Sequence, residues 1–428
     1  MLFARGLLGI VALLLLAWLL SSDRRRFPWK VVLVGLALQW GLALLVLRTE
    51  PGRAFFDGVG YLVTVILRGA DQGAKFVFGP LAGDHPDVAW KAIAGIKIMT
   101  TIIIVATLSS IGYHYGVLQR VVAGMAWVMR RAMGVSGAES LSGAANVFLG
   151  QTEAPLLVRP YIAGMTRSEL NALMTGGFAT VAAGVMAVYV SILSGDDPAR
   201  SVVVARHLLT ASLMSAPAAF VMAKIMLPET QTPATSGVAK ITLERDTRSL
   251  VDAITRGAAQ GMTLAINVIA MLIAFIALIA VLDAGLIALG RLSFVAPAIE
   301  QLGMKQLDLH GILGLLFAPI AWLLGVDGPD CRTFGSLLGK AMAANELIAY
   351  GDLGGIVRSS GMSERSIIMA TYSICGFANF SSIGIQIGGI GGLAPERRAD
   401  LVQLGPRAML GGAMASWCTG CIAGVLAG

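Results

Sequence analysis

A short polar run interrupts a chain that is otherwise apolar over long distances. The run extends from Asn146 to Pro155 and contains an amide, a hydroxyl and a carboxylate side by side at Gln151, Thr152 and Glu153. Together these groups can recognise the hydrogen-bonding edge of a planar heterocycle. The alternative is a structural cap or a satisfied polar cluster between helices. A carboxylate inside a bilayer costs about 2.5–3.5 kcal/mol even on lenient scales, which favours a functional site.

A second polar pair, Asn345 and Glu346, lies in the C-terminal half. A buried carboxylate beside an amide can hold vicinal hydroxyls such as those of a ribose. The alternative for Glu346 is an ion pair with Lys340. Further along the chain, Asn379 and Ser382 are three residues apart and therefore share one face of a helix. Small polar residues in membrane helices also serve as packing residues, which is the alternative for Ser382.

Asn146 and Thr180 have the chemistry of ion ligands. Both supply neutral side-chain oxygens, and Gly150 and Pro155 interrupt the helix near Asn146, which frees backbone carbonyl groups. Ligation by neutral oxygens alone suits Na⁺ better than a transition metal. The alternative is ordinary hydrogen bonding between helices.

The composition identifies the chain as an integral membrane protein. Of its 428 residues, 56% are hydrophobic and 13% are charged, whereas a soluble domain has about 25% charged residues. Apolar runs of helix length recur, and nothing resembles the alternating strands of an outer-membrane barrel. The net charge of +7 is interpreted as Lys and Arg in cytoplasmic loops, not as a surface for nucleic acid. We therefore predict an all-α bundle.

The bundle is predicted to contain eight transmembrane helices and two re-entrant hairpins. The helices are expected at 1–21, 30–48, 89–112, 169–194, 200–226, 257–283, 365–390 and 406–427. The hairpins are expected at 135–162 (hairpin 1) and 334–356 (hairpin 2). An external interfacial helix is expected within 50–88, and an amphipathic helix from His114 to Gly134 is expected at the inner face.

An internal repeat relates the two halves of the chain. Gly177-Phe-Ala-Thr180 follows hairpin 1, and Gly376-Phe-Ala-Asn379 follows hairpin 2. The basic cluster from Arg24 to Arg26 marks the cytoplasmic side, so both termini are expected outside, the base of hairpin 1 inside and the base of hairpin 2 outside. The repeats are thus inverted. Inverted repeats whose broken helices meet at the midplane are typical of secondary transporters.

These motifs resemble those of the concentrative nucleoside transporter family. The resemblance is carried by Gly150-Gln-Thr-Glu-Ala-Pro-Leu156, by Asn345-Glu346 with Ala349-Tyr350, and by Cys375-Gly-Phe-Ala-Asn-Phe-Ser-Ser382. It extends from about residue 90 to the C-terminus. The resemblance implies a homotrimer in which a transport domain moves as an elevator against a scaffold domain. The transport domain contains both hairpins and the fourth, fifth, seventh and eighth helices.

The resemblance divides the chain into four parts. Residues 1–133 are expected to form scaffold and interfacial helices, and residues 134–226 the first inverted repeat of the transport domain. Residues 227–330 contain the cytoplasmic linker, the sixth helix of the scaffold and an interfacial segment, and residues 331–428 form the second inverted repeat.

The resemblance also implies roles for individual residues. The base is expected at Gln151, Thr152, Glu153 and Val185. The ribose is expected at Glu346, Asn379 and Ser382, with Phe377 nearby. Na⁺ is expected at the Asn146 side chain, the carbonyl groups of Leu149 and Val181, and the Thr180 hydroxyl. The sequence departs from the family pattern at three places: Thr180 replaces the usual serine, the usual lysine before Asn345 is shifted by one place to Lys340, and Leu347-Ile348 replaces the usual Phe-Val.

The predicted function is sodium-coupled import of nucleosides such as uridine or adenosine across a bacterial inner membrane, with periplasmic termini. No cofactor beyond the coupling ion and no nucleic acid partner are expected. One alternative is proton coupling with Glu153 or Glu346 as the carrier.

Two other classes of function are disfavoured. A membrane-embedded enzyme needs a nucleophile–base pair or a carboxylate–metal cluster, and the sequence contains neither. Cys418 and Cys421 have redox or metal spacing, but they have no His or acidic neighbours and are interpreted as packing residues. A channel is disfavoured because two inverted hairpins that close on one site indicate alternating access.

Overall fold

The computed structural model describes residues 2–82, 93–195, 197–236, 247–292 and 294–427. Within these ranges every regular element is an α-helix or a short 3₁₀ turn, so the predicted all-α class is confirmed. Parts of three predicted segments lie outside the described residues. They are the end of the interfacial segment, the start of the third span and the middle of the cytoplasmic linker.

The described chain forms helices that we number in order. The first half contains α1 (Leu2–Leu19), α2 (Trp29–Arg48), α3 (Glu50–Phe78), α4 (Ala94–His114), α5 (Val117–Met133), α6 (Gly137–Asn146), α7 (Arg159–Ile162), α8 (Arg167–Ala179), α9 (Ala183–Ser194) and α10 (Pro198–Met226). The second half contains α11 (Leu250–Gly290), α12 (Ala296–Gln301), α13 (Leu309–Leu323), α14 (Cys331–Ala343), α15 (Glu346–Ser359), α16 (Glu364–Ser373), α17 (Phe380–Leu393) and α18 (Arg398–Leu426).

Six segments of the described chain are long and apolar enough to cross a membrane. They are Trp29–Arg48, Gly95–His114, Arg167–Ser194, Pro198–Met226, Leu250–Gly290 and Pro395–Leu426. These segments match six of the eight predicted spans. The predicted first span contains the shorter apolar stretch Ala4–Leu19, and the predicted seventh span is divided between α16 and the apolar helix α17.

The helices occur in the same order twice. Each half of the chain contains a long helix, a shorter helix, a hairpin, a broken helix and a long final helix. In the first half these are α4, α5, hairpin 1 with α6 and α7, the pair α8 and α9, and α10. In the second half they are α11, α13, hairpin 2 with α14 and α15, the pair α16 and α17, and α18. The halves are joined through equivalent helices, since α4 packs along α11 and α10 packs along α18.

The sequence predicts continuous helices for the fourth and seventh spans, and this is wrong. A break separates α8 from α9, and another separates α16 from α17. Thr180 and Asn379, at the ends of the two repeated tetrapeptides, both have extended backbone there. The two breaks touch each other, because a Cβ atom on Gly376 would overlap the carbonyl oxygen of Phe178. Glycine is therefore required at this crossing.

The base of hairpin 1 is held by two reciprocal helix caps and a buried lysine. Ser136 and Glu139 form a capping box at the start of α6, and Thr166 and Glu169 form another at the start of α8. The Ser136 hydroxyl also donates to a Glu169 carboxylate oxygen at 2.6 Å, which joins the two helix starts. Lys224, near the end of α10, forms a buried ion pair with Glu139. Three helix ends are thereby tied together.

The base of hairpin 2 is held in a comparable way. Arg365, in the first turn of α16, forms an ion pair with Asp327 at 3.2 Å. Its guanidinium also donates to the carbonyl oxygens of Gly325 and Gly424, both at 2.8 Å. Gly424 lies in the last turn of α18. This arginine therefore joins the start of α16 to the end of α18 and to the segment that precedes hairpin 2.

The ion pair at the base of hairpin 1 leads to a stability prediction. Lys224→Met keeps most of the side-chain volume but leaves the Glu139 carboxylate buried without its cation. Removing one partner of a buried ion pair costs about 3–5 kcal/mol, so we expect the free energy of unfolding in detergent to fall by about that amount. Arg256→Met is the matched control, because the Arg256–Asp252 pair is largely exposed and such pairs contribute about 0–1 kcal/mol. Equal losses in the two variants would contradict a structural role for Lys224.

Candidate functional site

Four of the predicted site residues are joined by direct hydrogen bonds. Gln151 Nε2 donates to the Ser382 hydroxyl at 3.1 Å, and the Ser382 backbone N–H donates to Asn379 Oδ1 at 2.8 Å. Asn379 Nδ2 donates to Glu346 Oε2 at 2.9 Å. This chain of bonds brings together the tip of hairpin 1, the break before α17 and the tip of hairpin 2.

The tip of hairpin 1 is an irregular turn between α6 and a 3₁₀ turn at Ala154–Val158. The Gly150 carbonyl oxygen accepts from the backbone N–H groups of Glu153 and Ala154, both at 3.0 Å. Gln151 is buried, whereas Thr152 and Glu153 are exposed. The Glu153 carboxylate accepts from the Gly150 backbone N–H at 3.3 Å. Thr152 and Glu153 therefore lie outside the hydrogen-bonded chain, with their polar groups accessible to a ligand.

The tip of hairpin 2 places Glu346 at the first position of α15. Asn345 is the N-cap of that helix, because its Oδ1 accepts from the Ile348 backbone N–H at 2.9 Å. Glu346 is 6% exposed, and its side chain points to Asn379. The alternative partner, Lys340, instead forms an ion pair with Asp352 at 2.5 Å. The interpretation of Glu346 as the partner of Lys340 is therefore wrong.

Two residues that contact the site are missed by the sequence reasoning. The Tyr189 hydroxyl donates to Glu346 Oε1 at 2.9 Å. Gln386 is fully buried, and its Nε2 donates to Gln151 Oε1 at 3.0 Å. Each lies four residues after a predicted site residue on the same helix, Tyr189 after Val185 and Gln386 after Ser382. That spacing places side chains on one face of a helix, which puts both residues beside the site, but it does not separate a residue that orients a ligand group from a packing residue.

The two apolar residues implied by the resemblance lie beside this network. Val185 is buried in the first turn of α9, one turn before Tyr189. Phe377 is half-buried in the break before α17, and its carbonyl oxygen accepts from the Asn379 backbone N–H at 2.9 Å.

Asn146 ends α6 and is fully buried. Within the described part of the chain, neither its Oδ1 nor its Nδ2 has a hydrogen-bond partner. A buried amide without partners costs about 1–3 kcal/mol for each unsatisfied group. A residue of this kind is the expected side-chain ligand of an ion or another small polar group.

The other predicted ion ligands lie close to Asn146. Gly176 of α8 adjoins the Asn146 amide, since a Cβ atom on it would lie 3.1 Å from Asn146 Nδ2. The Thr180 hydroxyl donates to the Gly176 carbonyl oxygen at 2.8 Å. The carbonyl groups of Leu149 and Val181 lie outside helices and accept no hydrogen bond from any described residue. Such neutral oxygens fit the chemistry of Na⁺.

The remaining candidates for metal binding are clusters of His, Cys, Asp or Glu residues. No group of three or more such residues in the part of the chain that the structure describes is placed to hold a metal ion. Cys418 and Cys421 are unpaired and buried within α18, where they fill space between helices.

Comparison with known protein families gives matches along most of the chain. The profile described as "Na+ dependent nucleoside transporter C-terminus" matches residues 207–424, and the corresponding N-terminus profile matches residues 8–81. Between them, a profile named Gate and described as "Nucleoside recognition" matches residues 95–195. The last range includes hairpin 1 and both halves of the broken α8–α9 helix.

Individual relatives cover nearly the whole chain. Solute carrier family 28 member 3 of Mus musculus is 37% identical over 436 residues, which cover 98% of this chain but only 58% of that relative. An uncharacterized transporter of Haemophilus influenzae is 38% identical over 427 residues, which cover 99% of this chain and 97% of the relative. A solved structure of CNTnw in an inward-facing substrate-bound state is 33% identical and has a TM-score of 0.90, covering 100% of this chain and 98% of that one.

The position of Gln386 leads to a prediction about the site's own stability. Gln386→Met keeps the side-chain length but leaves the Gln151 Oε1 atom without its donor. The variant loses the hydrogen bonds that Gln386 Nε2 donates to Gln151 Oε1 and to the Met174 carbonyl oxygen, but it also removes the Gln386 Oε1 atom, which has no partner among the described residues. Because a hydrogen bond contributes about 0.5–1.5 kcal/mol net, we expect the free energy of unfolding in detergent to fall by about 1–2 kcal/mol. Gln403→Met is the control, since Gln403 is exposed and such surface changes alter stability by about 0.5 kcal/mol or less. An unchanged stability of Gln386→Met would show that the Gln151 amide does not depend on it.

Proposed function

The chain belongs to the concentrative, Na⁺-dependent nucleoside transporter family, a family of transporters and not of enzymes, and we propose that it imports nucleosides such as uridine or adenosine. The observation that carries this proposal is the hydrogen-bonded chain from Gln151 through Ser382 and Asn379 to Glu346. It lies where two hairpins from different repeats meet. Substrate sites of secondary transporters are found at such junctions between repeats.

In this proposal hairpin 1 recognises the base and hairpin 2 recognises the ribose. Gln151, Thr152 and Glu153 offer an amide, a hydroxyl and a carboxylate to the edge of a base. Glu346 and Asn379 offer a carboxylate and an amide to the sugar hydroxyls. The remaining members of the proposed site are Val185, Phe377 and Ser382. The short distance between Asn379 and Glu346 supports a shared role for these two residues.

We propose that Na⁺ binds to the Asn146 side chain, with the Leu149 and Val181 carbonyl groups and the Thr180 hydroxyl as further ligands. The buried Asn146 amide without partners among the described residues supports this assignment. Leu149 belongs to the same turn as Gln151, so an ion bound there would fix the turn that carries the base-recognising residues. Coupling of this kind is reciprocal, because bound nucleoside then raises the Na⁺ affinity by the same factor.

The proposed movement involves whole parts of the chain. Residues 134–226 and 331–428 would form the transport domain, and residues 1–133 with the sixth span would form the scaffold of a homotrimer. The buried pair of Lys224 and Glu139 lies wholly within residues 134–226 and supports movement of that part as a unit. The cluster from Arg24 to Arg26 supports a cytoplasmic position for the loop after α1, and we propose a bacterial inner membrane location with both termini in the periplasm.

Uptake by proteoliposomes tests the proposed function and the role of Glu346. We expect the wild-type chain to accumulate radiolabelled uridine or adenosine only when an inward Na⁺ gradient is present. Glu346→Gln should lower uptake at least about 100-fold, because it removes a buried charged acceptor for the sugar hydroxyls. Glu396→Gln, at an exposed carboxylate, should leave uptake unchanged.

Two results would separate the claims in this experiment. A wild-type chain that takes up neither nucleoside defeats the proposed function. Normal uptake by Glu346→Gln, alongside active wild-type protein, defeats only the assignment of Glu346 to the ribose.

The Na⁺ dependence of uptake tests the ion site. Asn146→Ala removes the buried side-chain ligand, and we expect the Na⁺ concentration for half-maximal uptake to rise about 10-fold or more. Asn267→Ala is the matched control, since Asn267 is exposed on α11. An unchanged Na⁺ dependence in Asn146→Ala would show that the ion binds elsewhere in the protein. Uptake driven by a pH jump without Na⁺ would instead identify the proton as the coupling ion.

A further inference from the structure

A tyrosine of the first repeat contacts the proposed ribose ligand of the second. Tyr189 lies on α9, is fully buried, and donates its hydroxyl hydrogen to Glu346 Oε1 at 2.9 Å. Asn379 donates to the other oxygen, Oε2, also at 2.9 Å. A carboxylate has about four lone-pair sites, so these two bonds leave one acceptor site on each oxygen. Two acceptor sites on adjacent oxygens match two vicinal hydroxyl groups.

The Tyr189 ring is held in place by a second tyrosine. It stacks on Tyr350, with ring centroids 4.0 Å apart and ring planes at 17°. Tyr350 lies on α15 one helical turn after Glu346, and its hydroxyl donates to the Thr371 carbonyl oxygen at 2.6 Å. The stacked pair therefore spans α9, α15 and α16, and it holds the Tyr189 hydroxyl at one position relative to the carboxylate.

Packing alone explains the ring of Tyr189 but not its hydroxyl. Phenylalanine would fill the same space, and a buried hydroxyl is costly unless it finds a partner. The hydroxyl of Tyr350 donates a hydrogen bond to a backbone carbonyl oxygen, whereas that of Tyr189 donates to the Glu346 carboxylate. The two rings are thus stacked on each other, but their hydroxyl groups have different acceptors.

We propose that Tyr189 is a positioning residue that fixes the Glu346 carboxylate so that its remaining acceptor sites receive the 2′ and 3′ hydroxyls of a ribose. This inference rests on the proposed function, in which Glu346 binds the sugar. It adds that Tyr189 sets the preference for nucleosides with vicinal hydroxyls over nucleosides that lack them. Since Val185 lies one turn away on α9, the same helix contacts both the base side and the ribose side of the site.

Comparison of two substrates separates this role from a general loss of fold. Tyr189→Phe removes one oxygen and keeps the stacked ring. Na⁺-driven uptake is measured for uridine and for 2′,3′-dideoxyuridine, which lacks both hydroxyls. We expect KM for uridine to rise about 10-fold or more, since a hydrogen bond to a charged group is lost. KM for the dideoxynucleoside should change by less than about twofold.

Two further variants serve as controls. Tyr350→Phe removes the hydroxyl of the other ring in the stack, which does not contact Glu346, so it should change KM for both substrates by the same factor. 4-Aminophenylalanine at position 189 keeps an N–H donor at the ring and should recover the wild-type ratio of the two KM values. If Tyr189→Phe does not fold, 4-fluorophenylalanine at position 189 replaces it, because it fills the ring position but cannot donate.

The outcomes that would overturn the proposal are specific. Equal rises in KM for uridine and the dideoxynucleoside in Tyr189→Phe would show a structural role only. If the variant with 4-aminophenylalanine at position 189 has the same ratio of KM values as Tyr189→Phe, the hydrogen-bond donor at this position does not set the preference. A wild-type chain that takes up no nucleoside contradicts the proposed function itself, and this role with it.

Discussion

Burial of the Glu346 carboxylate between helices is the interaction on which the polar centre of this structure depends. A carboxylate in such surroundings is stable only when the protein supplies hydrogen-bond donors to it. Tyr189 and Asn379 supply one donor each. The Asn379 amide acts in two directions, because its nitrogen donates to Glu346 while its oxygen accepts from the Ser382 backbone N–H and caps α17. A continuous helix would use that N–H group internally, so the break before α17 and the support of Glu346 belong together.

The two repeats use the same residue type at their hairpins in different ways. Asn345 stands directly before α15, and its oxygen caps that helix at the Ile348 N–H group. Asn146 is still part of α6, and the next helical turn begins only at Ala154. Asn146 therefore does not cap the next helical turn along the chain, and its amide has no partner among the described residues. One asparagine is satisfied within the protein, whereas the other retains the capacity to bind a ligand from outside it.

Sequence reasoning predicted the class of fold, both hairpins and the polar residues at their tips, because a carboxylate or amide in an apolar run is a strong signal. It missed the breaks in the fourth and seventh spans, since hydropathy reports composition and not backbone hydrogen bonding. Thr180 and Asn379 interrupt helices that contain no proline near the break. Tyr189 was missed for a different reason, because a tyrosine four residues after a valine looks the same whether it fills space or orients a carboxylate.

Other members of the proposed site have no sequence signal of their own. Every residue has a backbone carbonyl group, so nothing in the sequence distinguishes those of Leu149 and Val181. Only the family resemblance points to them. The buried pair of Lys224 and Glu139 is equally hidden, because a lysine at the end of an apolar helix usually reaches water. That pair is informative about mechanism nonetheless. Lys224, which is buried, and Arg365, which is half-buried, anchor the bases of the two hairpins. The irregular turn at the tip of hairpin 1 has exposed polar groups at Thr152 and Glu153. Any displacement of a hairpin as a unit must therefore carry the helices to which its base is bonded.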